Sequence, residues 1–172
     1  MDCRITLSQI NPTLGNLTKN LELHVAEIEA AKSAGSQLVL FPELSLSGYF
    51  LKDQTSEIAL RLDSPLLKGL AEQSRKISIA AGFVERSPEG RLYNSIGFFE
   101  DGALLHVHRK VHLVTYGMFD EQREFAAGVA SQYSARVYSL RLANRPAKRG
   151  LQSPQFRCLL PARTILRLLG AE

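Results

Sequence analysis

The stretch Ser78–Leu113, "SIAAGFVERSPEGRLYNSIGFFEDGALLHVHRKVHL", decides the fold because it holds three consecutive strand patterns joined by two turns. Its first run, "SIAAGFVER", is apolar over most of its length, which is typical of a strand buried on both faces. "SPEG" is a turn sequence, and Asp101-Gly102 is a strong hairpin signal. We therefore predict three successive strands, the last two forming a hairpin.

Two helix patterns precede this stretch. From Asn16 onward apolar residues recur at helical spacing, and a second helix opens with Ser64 as N-cap and Pro65 at its first position. The strand patterns "RITLSQI" (Arg4–Ile10) and "QLVLF" (Gln37–Phe41) flank the first helix. The order β-α-β-α-β-β-β predicts a layered α/β domain with helices packed on a sheet.

The overall composition is that of one globular domain, with 172 residues of which 45% are hydrophobic and 22% charged. Its apolar runs are too short to span a membrane, and the N-terminus lacks the pattern of a secretory signal. The two cysteines, Cys3 and Cys158, do not make a disulfide framework. We therefore expect a cytoplasmic protein with no membrane partner.

The charge is distributed unevenly along the chain. Residues 1–128 carry a net charge of −3, whereas residues 129–172 carry +7 and contain a single acid, Glu172. A basic tail can bind nucleic acid, but this one has only Tyr133, Tyr138 and Phe156 as aromatic residues and no recognisable motif. A nucleic-acid partner is thus a weakly supported alternative, and we predict an irregular basic tail after Gly128.

Glu43, in "LVLFPELSLSGYF", is the first candidate site residue. It lies just beyond a buried strand pattern, and the carboxyl ends of strands in α/β sheets commonly meet ligands. A carboxylate held at the edge of an apolar core can serve as a general base. The alternative is a surface glutamate that happens to follow a strand.

Lys110 is the second candidate. On a strand it shares one face with His106, His108 and His112, because side chains alternate with a period of two. A lysine that points into a cleft can stabilise a developing oxyanion. The histidines could instead bind zinc, but no cysteine or acid stands at a familiar spacing, and Arg109 occupies the position of the metalloprotease glutamate. We expect no metal; a solvated strand face stays an alternative.

A third candidate is the acidic group Asp120, Glu121 and Glu124. Three acids near one lysine usually form a solvated loop. They could instead supply a second carboxylate beside Lys110.

Together these segments resemble a known family. "LVLFPELSLSGY", "YNSIGFFEDGALLHVHRKVHL" and "YGMFDEQREFAAG" look like the successive motifs of the carbon–nitrogen hydrolase (nitrilase) superfamily, in family order, from Arg4 to Gly128. The opening "QINPTLGNLTKNL" and the third motif are most similar to the glutamine-amidase domains of glutamine-dependent NAD synthetases and to stand-alone amidohydrolases. The resemblance implies that residues 1–128 are the N-terminal portion of a nitrilase-like α-β-β-α sandwich, which is incomplete in this chain.

The resemblance also implies a Glu-Lys-Cys mechanism. By position Glu43 is the general base, Lys110 stabilises the tetrahedral intermediate, and Glu121 is the second carboxylate that orients the site. A thiolate attacks the carbon of an amide or nitrile, and water then hydrolyses the thioester. The implied substrate is a small amide such as a glutamine-like side chain, with no metal or organic cofactor. A homo-oligomer is an open expectation.

The chain departs from the family at the nucleophile, because the family cysteine motif is missing. Cys158 is the remaining candidate, yet Pro161 and Arg163 follow it too soon and no acid occurs before Glu172. Cys3, which opens the first strand, is interpreted as structural.

We therefore predict that residues 129–172 are an aberrant or truncated remainder of the same domain. A shifted reading frame over Val129–Arg157 is our hypothesis for its origin. This chain would then be an inactive or impaired hydrolase. The alternative is a non-catalytic binding or regulatory fragment of that fold.

Overall fold

The computed structural model describes residues 4–115 and 120–129. In chain order the elements are β1 (Ile5–Leu7), α1 (Leu17–Ser33), β2 (Leu38–Leu40), a 3-10 turn (Lys52–Gln54), α2 (Pro65–Gln73), β3 (Ser78–Arg86), β4 (Leu92–Glu100), β5 (Ala103–Arg109) and α3 (Glu121–Glu124). The predicted order β-α-β-α-β-β-β is confirmed, and the four-residue α3 follows it. The predicted tail lies outside the described residues except for Val129.

The five strands form one sheet in the order β1-β2-β3-β4-β5. The first three are parallel, whereas β4 runs antiparallel to both β3 and β5. The predicted hairpin between β4 and β5 is confirmed. Asp101 and Gly102 have φ values of 52° and 81°, the left-handed conformations that a type I′ turn requires.

Both helices pack on one face of this sheet. Ile28 of α1 and Leu67 and Leu70 of α2 are buried against Ile79 and Phe83 of β3. The side chain of Asn16 caps α1 by accepting from the Lys19 N–H at 3.0 Å, and Ser64 caps α2 as predicted. Burial of this apolar layer is the main stabilising contribution to the fold.

The opposite face of the sheet is also apolar, and its buried cluster consists of Leu38, Leu40, Ala80 and Phe98. This explains why β2 shows no alternation, because Leu38 and Leu40 face one way while Val39 faces the helices. The prediction that "QLVLF" is buried on both faces is confirmed. Among the described residues, no helix is long and apolar enough to cross a membrane.

β5 is shorter than predicted. The pattern indicated a strand to Leu113, whereas the strand ends at Arg109. The Lys110 N–H still donates to the carbonyl of Asn94 at 2.8 Å, but the Lys110 carbonyl accepts the Gly128 N–H, also at 2.8 Å. A Cβ at position 128 would lie 2.4 Å from the Arg109 carbonyl oxygen, so the absence of a side chain permits this contact. The chain leaves the sheet after Lys110.

Candidate active site

Glu43 lies just past the carboxyl end of β2, where the sequence placed it. It belongs to a compact segment, residues 42–48, which we call the Glu43 turn. Three backbone hydrogen bonds close it: the Ser45 N–H donates to the Pro42 carbonyl at 3.2 Å, and the N–H groups of Ser47 and Gly48 donate to the Leu44 carbonyl at 3.0 and 2.8 Å. The turn lies directly on β3 at Gly82.

Gly82 allows this close approach because it has no side chain. A Cβ at this position would lie 2.4 Å from the backbone nitrogen of Leu44 and 2.8 Å from the carbonyl oxygen of Pro42. Both atoms belong to the backbone, so no side-chain rotation could relieve the overlap. Glu43 therefore reaches its place only because β3 carries glycine opposite the turn.

Lys110 joins the two predicted carboxylates. Its Nζ lies 2.8 Å from Glu43 Oε1 and 2.9 Å from Glu121 Oε1. The Asn94 amide, from β4, donates to the same Glu43 oxygen at 2.5 Å. The structure thus brings Glu43, Lys110 and Glu121 together from three separate segments, and we call them the Glu-Lys-Glu cluster.

Glu121 is the most enclosed member of the cluster, with a side chain only 4% exposed. Its Oε2 accepts the Val114 N–H at 2.8 Å, and its Oε1 accepts the Tyr49 hydroxyl. Burial raises the pKa of this carboxyl, but the bonds from Tyr49, Val114 and Lys110 outweigh burial and bring the pKa below its usual value. Glu121 is therefore ionised at neutral pH.

The Tyr49 hydroxyl stays protonated in this contact. Burial is the largest cause that raises the pKa of Tyr49 above its ordinary value, and the hydrogen bond to Glu121 is the second. The Tyr49 phenol therefore acts as the donor and the Glu121 carboxylate as the acceptor over the whole physiological range of pH.

Lys110 is also charged. Burial lowers its pKa, but the hydrogen bonds and charges of Glu43 and Glu121 outweigh burial, so that the net shift is upward. The cluster holds two carboxylates and one ammonium group. Glu43 is its accessible member, with a side chain 46% exposed against 19% for Lys110. The arrangement can present an acceptor for a proton and a fixed cation to one small ligand.

The other polar residues singled out in the sequence have separate positions. His106 and His108 lie on β5, where burial lowers the pKa of both rings, but the strand ends before Lys110 and His112, so the predicted strand face of four residues is reduced to the two histidines. No group of three or more His, Cys, Asp or Glu within residues 4–115 and 120–129 is arranged to hold a metal ion.

Of the three acids in the third candidate, only Glu121 contacts Lys110. Glu124 accepts the Thr55 hydroxyl at 2.6 Å, and Asp120 is exposed before α3. The expectation of a second carboxylate beside Lys110 therefore matches Glu121 alone.

Two cluster partners, Asn94 and Tyr49, were not predicted from the sequence. Asn94 is a polar residue inside a largely apolar strand, which is the signal that could have marked it. Tyr49 belongs to the quoted motif "LVLFPELSLSGY", but nothing in that motif indicates a partner more than 70 residues away.

A cleft of about 550 Å³ opens beside Tyr49 and Glu121. Lys52, Asp53 and Arg123 also line it, so that it offers charges of both signs next to the cluster. Its volume falls in the range of small-molecule sites, which is roughly 300–1,000 Å³. Cys3 and Cys158 both lie outside the described residues.

The curated relatives of the chain include the glutamine-dependent NAD(+) synthetase of Thermotoga maritima, which is 37% identical over 128 residues. That match covers 73% of this chain and 22% of the synthetase, so the chain spans about a quarter of the length of such relatives.

Solved structures that resemble the chain also include a glutamine-dependent NAD+ synthetase. The glutamine-dependent NAD+ synthetase of Acinetobacter baumannii in complex with ADP superimposes with a TM-score of 0.65 at 30% identity, over 75% of this chain and 24% of that one. A double mutant of the amidase from Nesterenkonia sp. AN1, in complex with acrylamide, gives a TM-score of 0.60 at 26% identity, over 74% and 49% of the two chains. These matches confirm the nitrilase-like α/β fold. The family described as carbon-nitrogen hydrolase matches residues 4–148, and the chain belongs to that family.

Proposed function

We propose that this chain carries the Glu-Lys-Glu part of a site that hydrolyses the amide bond of a small molecule, and that the chain is impaired in this reaction. One observation carries the proposal. The Lys110 Nζ lies between two carboxylates, 2.8 Å from Glu43 and 2.9 Å from Glu121, and the Glu121 carboxylate also lines a cleft of ligand size. A fixed cation next to an accessible base is the arrangement that acyl transfer requires.

The relatives favour an amide as substrate. The synthetases are named as glutamine-dependent, and the Nesterenkonia amidase was solved with acrylamide, which is itself a primary amide. The substrates that we propose for this chain are the side-chain amide of glutamine and simple primary amides.

In the proposed reaction a cysteine thiol transfers its proton to Glu43, and its sulfur attacks the amide carbon. The negative charge that develops on the carbonyl oxygen is stabilised by the Lys110 ammonium group. The C–N bond then breaks as Glu43 returns the proton to nitrogen, so that ammonia leaves and a thioester remains. Water, activated by Glu43, hydrolyses the thioester to the carboxylic acid and regenerates the thiol.

Glu121 has a different proposed role from Glu43. Its carboxylate is buried and already accepts from Tyr49, Val114 and Lys110, which leaves little room for proton exchange with a ligand. We assign it to holding the Lys110 ammonium group in place. Glu43, with its half-exposed carboxylate, is the member free to exchange protons.

Cys158 is the proposed nucleophile, although it lacks the family sequence around it. The chain has one other cysteine, Cys3. The expected impairment follows from this missing motif, since a thiol that is not held beside the base attacks slowly.

Ammonia release from glutamine, acrylamide and simple amides tests the proposal. We expect slow turnover by the full chain that is lost in Cys158→Ala and in Glu43→Gln and retained in Cys3→Ala. Turnover that survives both Cys158→Ala and Glu43→Gln would contradict the proposed chemistry.

The missing nucleophile motif favours a second candidate, a non-catalytic fragment that binds small amides. Its signature is binding of glutamine or acrylamide in calorimetry without any release of ammonia. Lys110→Met removes the charge and should abolish that binding. The absence of both turnover and binding would contradict both candidates.

A further inference from the structure

His24 is a buried titratable residue that the proposed chemistry does not use. It lies on α1, and its side chain is fully enclosed between the helix and the residues that follow β2. Its Nδ1 lies 2.7 Å from the backbone carbonyl oxygen of Asn20, and its Nε2 lies 2.9 Å from the Ser45 hydroxyl. Both ring nitrogens therefore have partners, and one partner belongs to the Glu43 turn.

The two contacts define the direction of each hydrogen bond. A carbonyl oxygen can only accept, so Nδ1 carries the proton and donates to Asn20. Nε2 of the neutral ring is then the acceptor, and the Ser45 hydroxyl donates to it at 2.9 Å in preference to the more distant Gly82 carbonyl at 3.4 Å. The same Ser45 oxygen accepts the Gly82 N–H at 3.2 Å. One hydroxyl group thus connects α1, the Glu43 turn and β3.

The Glu43 turn needs such external contacts because its backbone is not relaxed. Leu44 has a φ of 50°, in the left-handed region that is unfavourable for residues with a side chain. The Asn20 amide donates to the Leu46 carbonyl at 2.9 Å, and the Leu46 N–H donates to the Gly82 carbonyl at 3.0 Å. Helix α1 and strand β3 therefore hold the turn from two sides.

The carboxylate of Glu43 has few contacts of its own. Its hydrogen bonds come from Asn94 and Lys110, and nearly half of its side chain is exposed. Its position therefore depends on where the backbone of the turn is held.

We propose that His24 is a positioning residue for Glu43, which acts through the Ser45 hydroxyl and sets the distance between Glu43 and Lys110. The inference rests on the proposed role of Glu43 for its functional meaning, but its geometry is independent of turnover. Burial lowers the pKa of His24 to about 4, so the ring stays neutral and keeps its acceptor at neutral pH. Phe41, whose ring centroid lies 4.1 Å away, completes the enclosure.

The test measures the pKa of the Lys110 ammonium group in the full chain. NMR of labelled lysine over a pH titration gives this pKa. The pKa of Lys110 is raised in part by Glu43, so a displacement of the turn that moves Glu43 away from Lys110 lowers the Lys110 pKa. We expect a lower Lys110 pKa in His24→Leu, which keeps the volume but removes the acceptor, and in Ser45→Ala. His24→Gln, whose amide oxygen can accept from Ser45, should restore the native value.

Ile28→Val is the matched control, because Ile28 lies one turn further along α1 in the same apolar core and its side chain has no polar group that could bond to the Glu43 turn. It should leave the Lys110 pKa unchanged. A folded His24→Leu and a folded Ser45→Ala that both keep the native Lys110 pKa would overturn the proposal. If His24→Leu does not fold, a folded Ser45→Ala with the native Lys110 pKa still overturns the proposal. A lowered Lys110 pKa in Ser45→Ala supports it only when His24→Gln keeps the native value, because the Ser45 oxygen also accepts the Gly82 N–H.

The failure of this inference is distinguishable from the failure of the proposed function. If Glu43→Gln retains turnover, the role of Glu43 as a base is wrong, whatever the NMR result. If the Lys110 pKa ignores His24 and Ser45, the positioning role is wrong, whatever the activity of Glu43→Gln.

Discussion

Glu43 and Glu121 contact the same ammonium group, but the protein positions them in opposite ways. Glu43 is positioned through its backbone, by contacts of the Glu43 turn with α1 and β3, and its carboxylate is half exposed. Glu121 lies on a helix of only four residues and is positioned through its own buried carboxylate, which accepts three hydrogen bonds.

The difference separates two functions of a carboxylate. A group whose hydrogen-bonding capacity is already used is well suited to hold a cation in place. A carboxylate that is positioned through its backbone keeps its oxygens available to accept a proton. Substitutions around Glu43 should therefore act through backbone packing, and those around Glu121 through side-chain hydrogen bonds.

Gly82→Ala tests the backbone side of this comparison and should have the largest effect. The added methyl group would overlap the backbone of Leu44 and Pro42, and we expect a loss of about 3 kcal/mol in the free energy of unfolding, at the upper end for an overpacked site. Urea unfolding measures it. Gly69→Ala, on the exposed surface of α2 with no atom near the new methyl group, is the control and should stabilise by about 0.5–1 kcal/mol. Similar values for the two variants would refute the close packing of the turn.

The pH dependence of the free energy of unfolding tests whether the His24 ring of α1 is neutral where it contacts the Glu43 turn. Because burial lowers the His24 pKa from 6.5 to about 4, the unfolded chain binds a proton between these values that the native chain does not. The free energy of unfolding should be fully retained above pH 6.5 and fall as the pH decreases toward 4, by up to roughly 3 kcal/mol.

His24→Gln should lose this component when its urea unfolding is compared with the native chain from pH 7 to pH 4.5. Glu27 of α1 also influences the His24 pKa and is present in both proteins. Parallel stability curves for the two proteins would show that His24 is not buried as a neutral ring.

Tyr49→Phe tests the side-chain route to Glu121. It removes one hydrogen bond to a buried carboxylate and should cost about 2 kcal/mol in urea unfolding. The pKa of Glu121 should rise in carboxyl-labelled NMR titrations, because Tyr49 is one of the groups that lower it. Tyr93→Phe is the control, since the ring of Tyr93 contacts Arg109 and keeps that contact. An unchanged Glu121 pKa in Tyr49→Phe would argue against the proposed role of this bond.

Glu43→Gln should have the smallest effect on stability. The carboxylate is half exposed and the turn is held without it, so we expect a change of about 1 kcal/mol or less in urea unfolding. The same variant should abolish ammonia release. A large loss of stability would mean that Glu43 is positioned by its side chain, like Glu121, and the comparison between the two would fail.

The sequence predicted the fold well because the fold depends on local patterns. Apolar periodicity and turn residues placed both helices, and the same patterns predicted the succession of strands along the chain. The motifs also placed Glu43 just after a strand, and the structure agrees, but they placed Lys110 and His112 on the strand of the other histidines, which ends at Arg109. The end of β5 was placed too late, since the pairing of Lys110 with Gly128 joins distant residues and leaves no periodic signal.

The support around the cluster was not predictable for a related reason. Asn94, Tyr49 and His24 each act through a partner that is 21 to 72 residues away in the chain. Such pairs depend on the tertiary arrangement, and a single sequence does not record them. The roles of Glu43, Lys110, Glu121 and Cys158, the domain boundary at residue 128 and the cytoplasmic location stay predictions.

The hydrogen bond between the Gly128 N–H and the Lys110 carbonyl fixes the point from which the following residues start. Because the Gly128 N–H is hydrogen-bonded to the Lys110 carbonyl, the residues after 128 start next to Lys110 of the Glu-Lys-Glu cluster. About 30 residues separate Gly128 from Cys158, and an extended chain of that number reaches roughly 100 Å. The number of residues between Gly128 and Cys158 is therefore sufficient for the Cys158 thiol to reach Glu43, so chain length does not oppose the proposed pairing of thiol and base.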